Sequence, residues 1–447
     1  MSNGGTAVKR LAVAAVATLL LLTACGGAKE ETTQKAPEAA PPKGNITFWH
    51  FFTDREERAI QAVVKDFEAK YPDVKVTVKG GQDDEKMKQA ISAGKGPDVG
   101  LSYSTDIVGA FCTSGAWRDL KTWIDRDKVD INKLLPVVRS YTEYNGKRCA
   151  MPMLADTYGL YYNKKLLAEA GYSAPPKTFS ELEQMALKMT KKKADGSIDI
   201  AGFVPITPFY ENTPSHYAPI FGAKWLKPDG TSNVGSDPAW NEMLTWQKGL
   251  LDKMGGYAVW QKFDAGKGEE FSADNSFQKG KIALHIDGEY RIAFVKDQSP
   301  NIDFGTAPMP VPDDKADRYG AGYITGNIMG ISKGSQNPEA AWALIKYLTL
   351  DTDAIVKLAN GIKNVPTTEE ALKSPKLEVD EKFKTFIDIL ENKSSDTSPS
   401  TANGAVYQNT FQEFVNRWQQ GKVPDLAAGL KRQDEVINKQ LQLGQAP

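Results

Sequence analysis

The sequence predicts an α/β protein with more than one sheet, on three observations. The globular part opens with a strand–helix–strand pattern. Further helix starts, each with its own capping residues, recur along the chain. Its 447 residues exceed the roughly 250–300 that one hydrophobic core fills, so at least two lobes are expected.

Residues 46–51 (ITFWHF) are β-branched and aromatic, a strand by composition. Thr53-Asp54-Arg55-Glu56 reads as a capping box, with Thr53 at the N-cap and Glu56 three positions inside. Ile60, Val63, Val64 and Phe67 then form one apolar helical stripe, and Tyr71-Pro72-Asp73 ends it. Residues 74–78 (VKVTV) alternate as the second strand of a right-handed βαβ unit. In parallel sheets ligands lie beyond the strand carboxyl ends, here the stretch from Trp49 to Arg55. A helix follows over about 85–93, and Pro97-Asp98-Val99 starts another strand. Thr178-Phe179-Ser180-Glu181 is a second capping box, opening a helix through Met189. Asn337-Pro338-Glu339 offers an N-cap, a Pro at the first helical position and an acidic first turn. Residues 394–404 read as an exposed polar loop before a last helical stretch from Tyr407.

Composition narrows the function classes. Hydrophobic residues at 41% and charged ones at 25% argue against wholesale disorder and against a multi-span membrane protein. Lys+Arg 55 against Asp+Glu 56 provides no overall cationic field, so no nucleic-acid partner is expected. Three His and three Cys match no metal-ligand spacing, and no cofactor is expected.

The N-terminus sets the compartment. Lys9 and Arg10 precede an apolar run over 11–22, too short for a comfortable membrane span and suited to an export signal; a short membrane anchor is the alternative. Leu22-Thr23-Ala24-Cys25 resembles a bacterial lipobox, which implies a signal peptide over 1–24 and lipidation at Cys25. Residues 25–43 are then a polar, Pro-bearing tether. The protein is expected to be exported and held at the outer face of the cytoplasmic membrane. With Cys25 lipidated, Cys112 and Cys149 remain, either as a disulfide contributing roughly 3–4 kcal/mol or as two buried thiols.

No phosphate loop, dinucleotide fingerprint (Gly320-Ala321-Gly322 has the wrong spacing), nucleophile elbow or zinc helix is present. Carboxylate pairs such as Glu269-Glu270 and Asp313-Asp314 read as solvated loops. Aromatic residues beside polar ones at strand edges are more informative: Trp49-His50, Tyr103-Ser104, Asp156-Thr157-Tyr158, His216-Tyr217 and Glu289-Tyr290-Arg291. Each alone reads as packing. Together they suit a saccharide, whose C–H faces pack on rings while carboxylates and guanidinium groups orient its hydroxyls.

Several separated segments, in order, resemble the extracellular solute-binding lipoproteins of sugar ABC importers, the group including maltodextrin-binding proteins. They are ITFWHFFTDREERAIQAVVKDFEAKYPDVKV, GKGPDVGLSYSTDIVGAFCTSGAWRDL, YNGKRCAMPMLADTYGLYYNKKLLAEAG, FQKGKIALHIDGEY and NPEAAWALIKYLT. The resemblance implies a two-lobed periplasmic-binding-protein-like fold with an interlobe hinge and ligand cleft. Lobe one would hold about 44–155 plus 301–350, and lobe two about 156–300 plus 351–447. It implies a ligand site drawn from Trp49, His50, Asp54, Arg55, Tyr103, Asp106, Asp156, Tyr158, His216, Tyr217, Glu289, Tyr290, Gly322, Tyr323 and Tyr407. Tyr290 stands where the family usually carries Trp. The implied protein is a monomeric, non-catalytic receptor whose partners are a carbohydrate, the importer's transmembrane subunits and, through its lipid, the membrane. The FWH start also resembles glycerol-phosphate binders, with Arg55 or Arg291 pairing to the anion, and a secreted glycan hydrolase is the alternative from another class.

Overall fold

A computed structural model describes residues 38–445. The export signal, Cys25 and the tether as far as residue 37 lie outside the described residues. No helix among the described residues is long and apolar enough to cross a membrane.

The opening unit forms as the residue pattern requires. Strand Gly44–Trp49 pairs in parallel with Val74–Lys79, and the helix Asp54–Lys70 between them buries Ile60, Val63, Val64 and Phe67. The expected capping box at its start is not made. The Thr53 hydroxyl donates to the Asp54 carboxylate at 3.2 Å and accepts no backbone N–H, which leaves Glu56 free to turn elsewhere. The second box is made in full: Thr178 accepts from the Glu181 N–H, and Glu181 reaches back to the Thr178 N–H. At Asn337 the helix starts as expected, but the side chain donates to the Asn45 carbonyl and caps nothing.

The main sheet runs, in order, Val365–Pro366, Met151–Asn163, Ile324–Ile331, Val99–Ser102, Gly44–Trp49, Val74–Lys79. The long strand Met151–Asn163 changes partners along its length. Its first half pairs antiparallel with Ile324–Ile331, whereas residues 158–163 pair with Leu284–Gly288 and Phe304–Ala307. One strand thus feeds two sheets, and Asp156, Thr157 and Tyr158 sit where it passes from one to the other.

This pairing moves the expected lobe boundaries. Phe304–Ala307 was expected in lobe one, but it pairs with residues 160–163 on the side of Leu284–Gly288. Helix Thr352–Ile362 was expected in lobe two, but it packs on Asp54–Lys70 and on Pro338–Leu350. Residues 394–404 form no helix or strand, as expected, yet none is fully exposed; Ser398 and Thr401 are buried.

Cys112 and Cys149 are joined by a disulfide, their Cα atoms 5.6 Å apart. Between them Trp117 and Trp123 are buried, so the cross-linked loop is itself packed into the core.

Candidate functional site

A cavity of about 810 Å³ lies where the two sheets meet. Strand ends and helix starts build one wall: Phe51, Asp54, Arg55 and Tyr103 beside the first sheet, and Asp156 and Tyr158 on the crossing strand. The opposite wall carries Tyr290 and Phe294, from the start of the helix Arg291–Gln298. Aromatic rings flank its opening. Tyr103 and Phe271 are 52% and 54% exposed, unusual for large rings with no partner chain, and both line the cavity. The rings of Phe51 and Tyr103 meet edge-on at 5.4 Å, and Phe271 lies 5.8 Å from Tyr290. Asp54 has φ 50°, a left-handed backbone that an L-residue holds at a cost of about 1–3 kcal/mol. It sits at the first turn of the helix that lines the cavity.

Arg55 bridges the walls. Its Nε lies 2.9 Å from the Asp297 carboxylate on the far helix, and its Nη1 donates to the carbonyls of Ile362, at 3.0 Å, and Gly361. Tyr290 is 9% exposed and donates its hydroxyl to Glu211 at 2.9 Å. Gly288 makes room for that ring, since a Cβ there would stand 2.3 Å from Tyr290 Cε1. Asp156, 6% exposed, accepts from Asn364 Nδ2 and, at 3.4 Å, from Asn327 Nδ2.

Of the residues expected at the site, Asp54, Arg55, Tyr103, Asp156, Tyr158 and Tyr290 line this cavity. The others lie off it, each for a physical reason. Trp49 stands on the strand with the Lys79 ammonium 5.1 Å from its ring. His50 is wholly buried between Phe48 and Phe52, and burial lowers its pKa to about 4. Asp106 precedes the helix Ile107–Ser114 and accepts from Gln408 at 2.6 Å; burial raises it to about 6. His216 stacks on Tyr158 at 3.9 Å, behind the wall. Tyr217 and Tyr407 are core residues, their hydroxyls donating to Asn212 and to the Pro399 carbonyl. Glu289 is fully buried and accepts from the Thr157 N–H at 2.7 Å and from Asn364 at 2.8 Å. Gly322 serves close packing, since a Cβ there would come within 2.5 Å of Ile389. Tyr323 donates to Ser398 and lines a separate cavity of about 460 Å³.

The sequence reading missed Glu56, Glu211, Glu270, Phe271, Asn327 and Asn364, all of which line the cavity. Glu56 carried a signal that pointed to a cap, and Glu270 belonged to a pair read as solvated. The rest had no local signal.

Burial shapes the electrostatics. It pushes Glu56, Asp156 and Glu211 up to about 7. Glu270 rises to about 9 through burial and the neighbouring Glu211. Carboxyls in an unfolded chain ionise near 4, so the folded protein holds protons that the unfolded chain has released, and stability must fall as pH rises. His50 and His216, both lowered to about 4 by burial, act in the opposite sense below about 6.5. Above that value the carboxyls dominate. The ligand-free protein is therefore expected to lose thermal stability above about pH 6.5, most steeply to about 7, where Glu56, Asp156 and Glu211 ionise, and more gently to about 9 as Glu270 follows. A melting temperature that holds or rises across that interval would contradict this electrostatic account.

Comparison with known proteins places this geometry. Residues 53–355 match the family model for the bacterial extracellular solute-binding proteins. The maltotriose-binding protein of Pyrococcus abyssi is 27% identical over 408 residues, covering 91% of this chain and 84% of the relative. A maltooligosaccharide ABC transporter solute-binding lipoprotein of Streptococcus pneumoniae is 28% identical over 385 residues, covering 81% and 82%. Among solved structures, CpMnBP1 with mannotriose bound superposes with a TM-score of 0.77 at 26% identity, covering 88% of this chain and 99% of that one. Such neighbours are two-lobed sugar-binding proteins, and the shared strand Met151–Asn163 joins two sheets in the same way here. With the match spanning more than half of its length, the chain belongs to the bacterial extracellular solute-binding protein family.

Proposed function

We propose that the protein captures a carbohydrate, an oligosaccharide, in the interlobe cavity and delivers it to the membrane subunits of an ABC importer without chemical turnover. The cavity carries this reading. Its aromatic rings suit sugar C–H faces, and its carboxylate and amide groups suit hydroxyls. The relatives named for maltotriose, maltooligosaccharide and mannotriose support it. The glycerol-phosphate reading loses its ground: Arg291 is fully buried against Asp287, and Arg55 is engaged by Asp297 and two carbonyls.

In this reading lobe one comprises about 44–156 and 324–377, and lobe two about 158–322 and 381–445. The lobes close by bending where Met151–Asn163 passes between sheets. Asp54 and Asp156 accept hydrogen bonds from the ligand, and Tyr290 stacks on a sugar face. Export, cleavage before Cys25 and lipidation there hold the body at the outer face of the membrane. The lipoprotein relative supports the anchor. A membrane-fraction protein that retains residues 11–22 would refute it.

Titration calorimetry with maltotriose and mannobiose tests the function. Saturable binding with unchanged sugar is expected. Tyr290→Ala should weaken it roughly threefold to tenfold, the value of one lost ring contact. Hydrolysis of the sugar, or no binding of any saccharide, would overturn the reading.

A further inference from the structure

Two polar contacts run from one lobe to the other, and donor and acceptor of each belong to the chain itself. Arg55 makes the first. Its guanidinium is fixed within lobe one by the carbonyls of Gly361 and Ile362, in the last turn of the helix Thr352–Ile362. Carbonyls in that turn lack partners inside their own helix and carry its negative end, so they hold a cation well. Arg55 Nε is thereby aimed at lobe two, where the Asp297 carboxylate on the helix Arg291–Gln298 lies 2.9 Å away.

The second contact lies off the cavity and is built from the opposite side. Gln408 stands on the helix Val406–Gln419, which packs against Pro238–Lys253 and Leu426–Gln445 of lobe two. Ser215 donates to Gln408 Oε1 at 2.8 Å, which fixes the orientation of the amide. Gln408 Nε2 therefore faces lobe one and donates to Asp106 Oδ1 at 2.6 Å. The Ser104 hydroxyl steadies the other Asp106 oxygen at 3.3 Å.

In each pair the donor is held by its own lobe and points at a carboxylate of the other. A donor already held in place loses little freedom on pairing, so more of the attraction survives. Strands Gly44–Trp49 and Val99–Ser102 run parallel, so Arg55 and Asp106, just past their ends, stand at one edge of the lobe-one sheet. Bending of the shared strand that opens the cavity draws that edge away from lobe two and breaks both contacts.

We propose that Arg55–Asp297 and Asp106–Gln408 form a two-point latch between the lobes, which sets how much closed protein exists before a sugar arrives. It rests on the lobe division and hinge given above. A larger closed fraction raises the affinity for every ligand by the same factor, because the latch touches the equilibrium and not the sugar.

Small-angle scattering of the purified protein at pH 7.5 tests it, since Asp106, raised by burial to about 6, is ionised there. Asp297→Lys turns the first pair into a repulsion, and Gln408→Glu does the same to the second. Without sugar, each variant is expected to show a larger radius of gyration than the parent, and the double variant the largest. Saturating maltotriose should return all of them to the parent's value. Calorimetry should find maltotriose and mannobiose weakened by one common factor, at least roughly threefold, as the closed fraction falls. Gln408 does not line the cavity, so a loss in Gln408→Glu reports closure and not a missing ligand contact. Unchanged radii in both variants, or a loss confined to one sugar, would overturn the latch and leave the saccharide receptor standing. If the parent binds no sugar, the receptor reading fails, while the scattering without sugar still decides the latch. The two substitutions lie on different helices, so either one carries the test should the other fail to fold.

Discussion

Replacing Arg291 by Met is expected to lower the unfolding free energy by about 3–5 kcal/mol, the loss typical of breaking one side of a buried ion pair. Arg291 and Asp287 are both 0% exposed, Asp287 on the strand Leu284–Gly288 and Arg291 at the start of the helix that follows it, with Nε donating to Asp287 Oδ2 at 2.6 Å. Gln278 takes up a second guanidinium hydrogen at 3.0 Å, and the group lies 5.4 Å from the Phe294 ring. Asp287 is further held by the Gly288 N–H at 2.8 Å and lies 3.1 Å from His285 Nε2. Burial alone would raise the Asp287 carboxyl, but the guanidinium outweighs it and keeps the group below its ordinary value. Met fills the volume and leaves that charge buried without a counterion.

The sign of the pH dependence follows. In the unaltered protein Asp287 contributes stability above the ordinary carboxylate range and loses it as pH falls through the lowered folded value. In Arg291→Met the folded value lies above the ordinary one, so the penalty grows as pH rises. The gap between the two proteins is expected to be wider at pH 7 than at pH 4. Adding Asp287→Asn should recover part of the loss, because two neutral groups replace one stranded charge. Denaturant unfolding of the single and double variants measures this, and a single variant within about 1 kcal/mol of the parent would refute the account.

Cys112→Ala with Cys149→Ala is the second large effect expected. The cross-link closes 37 positions of chain, for which the loop-entropy relation gives about 3–4 kcal/mol. The loop carries Trp117 and Trp123 into the core, so its contacts survive in the folded state while the unfolded chain gains freedom. Neither cysteine lines the cavity, and saccharide affinity should therefore hold while the denaturation midpoint falls. Full stability in the double variant would show that the packed loop alone restrains the chain. A matching loss of affinity would tie the cross-link to the site.

Two kinds of information divided along the chain. Where a few adjacent residues alone decide an outcome the sequence was mostly sufficient, although the Thr53–Glu56 box and the Asn337 cap that it also predicts are not made. The stripe of Ile60, Val63, Val64 and Phe67 faces one way because helical geometry repeats every 3.6 residues, and all four are buried. Thr178 and Glu181 cap their helix because both groups lie within one turn. Asp156 and Tyr158 stand two residues apart on one strand and so share a face, which is why one short motif puts both on the cavity wall.

Only the tertiary structure decided which charges meet. Glu211, Glu270 and Asp297 come from separate segments, and nothing near any of them in the chain foretells that they share one cavity. Glu56 turned from a cap to a cavity wall because Thr53 found Asp54 instead. His50, Tyr217 and Tyr407 carried the same aromatic signal as Tyr290 but went to the core. Local periodicity encodes which face of an element is buried, not what it is buried against. The field inside a cleft is a sum over groups brought close by folding, so it exists only once the two sheets and their shared strand are in place.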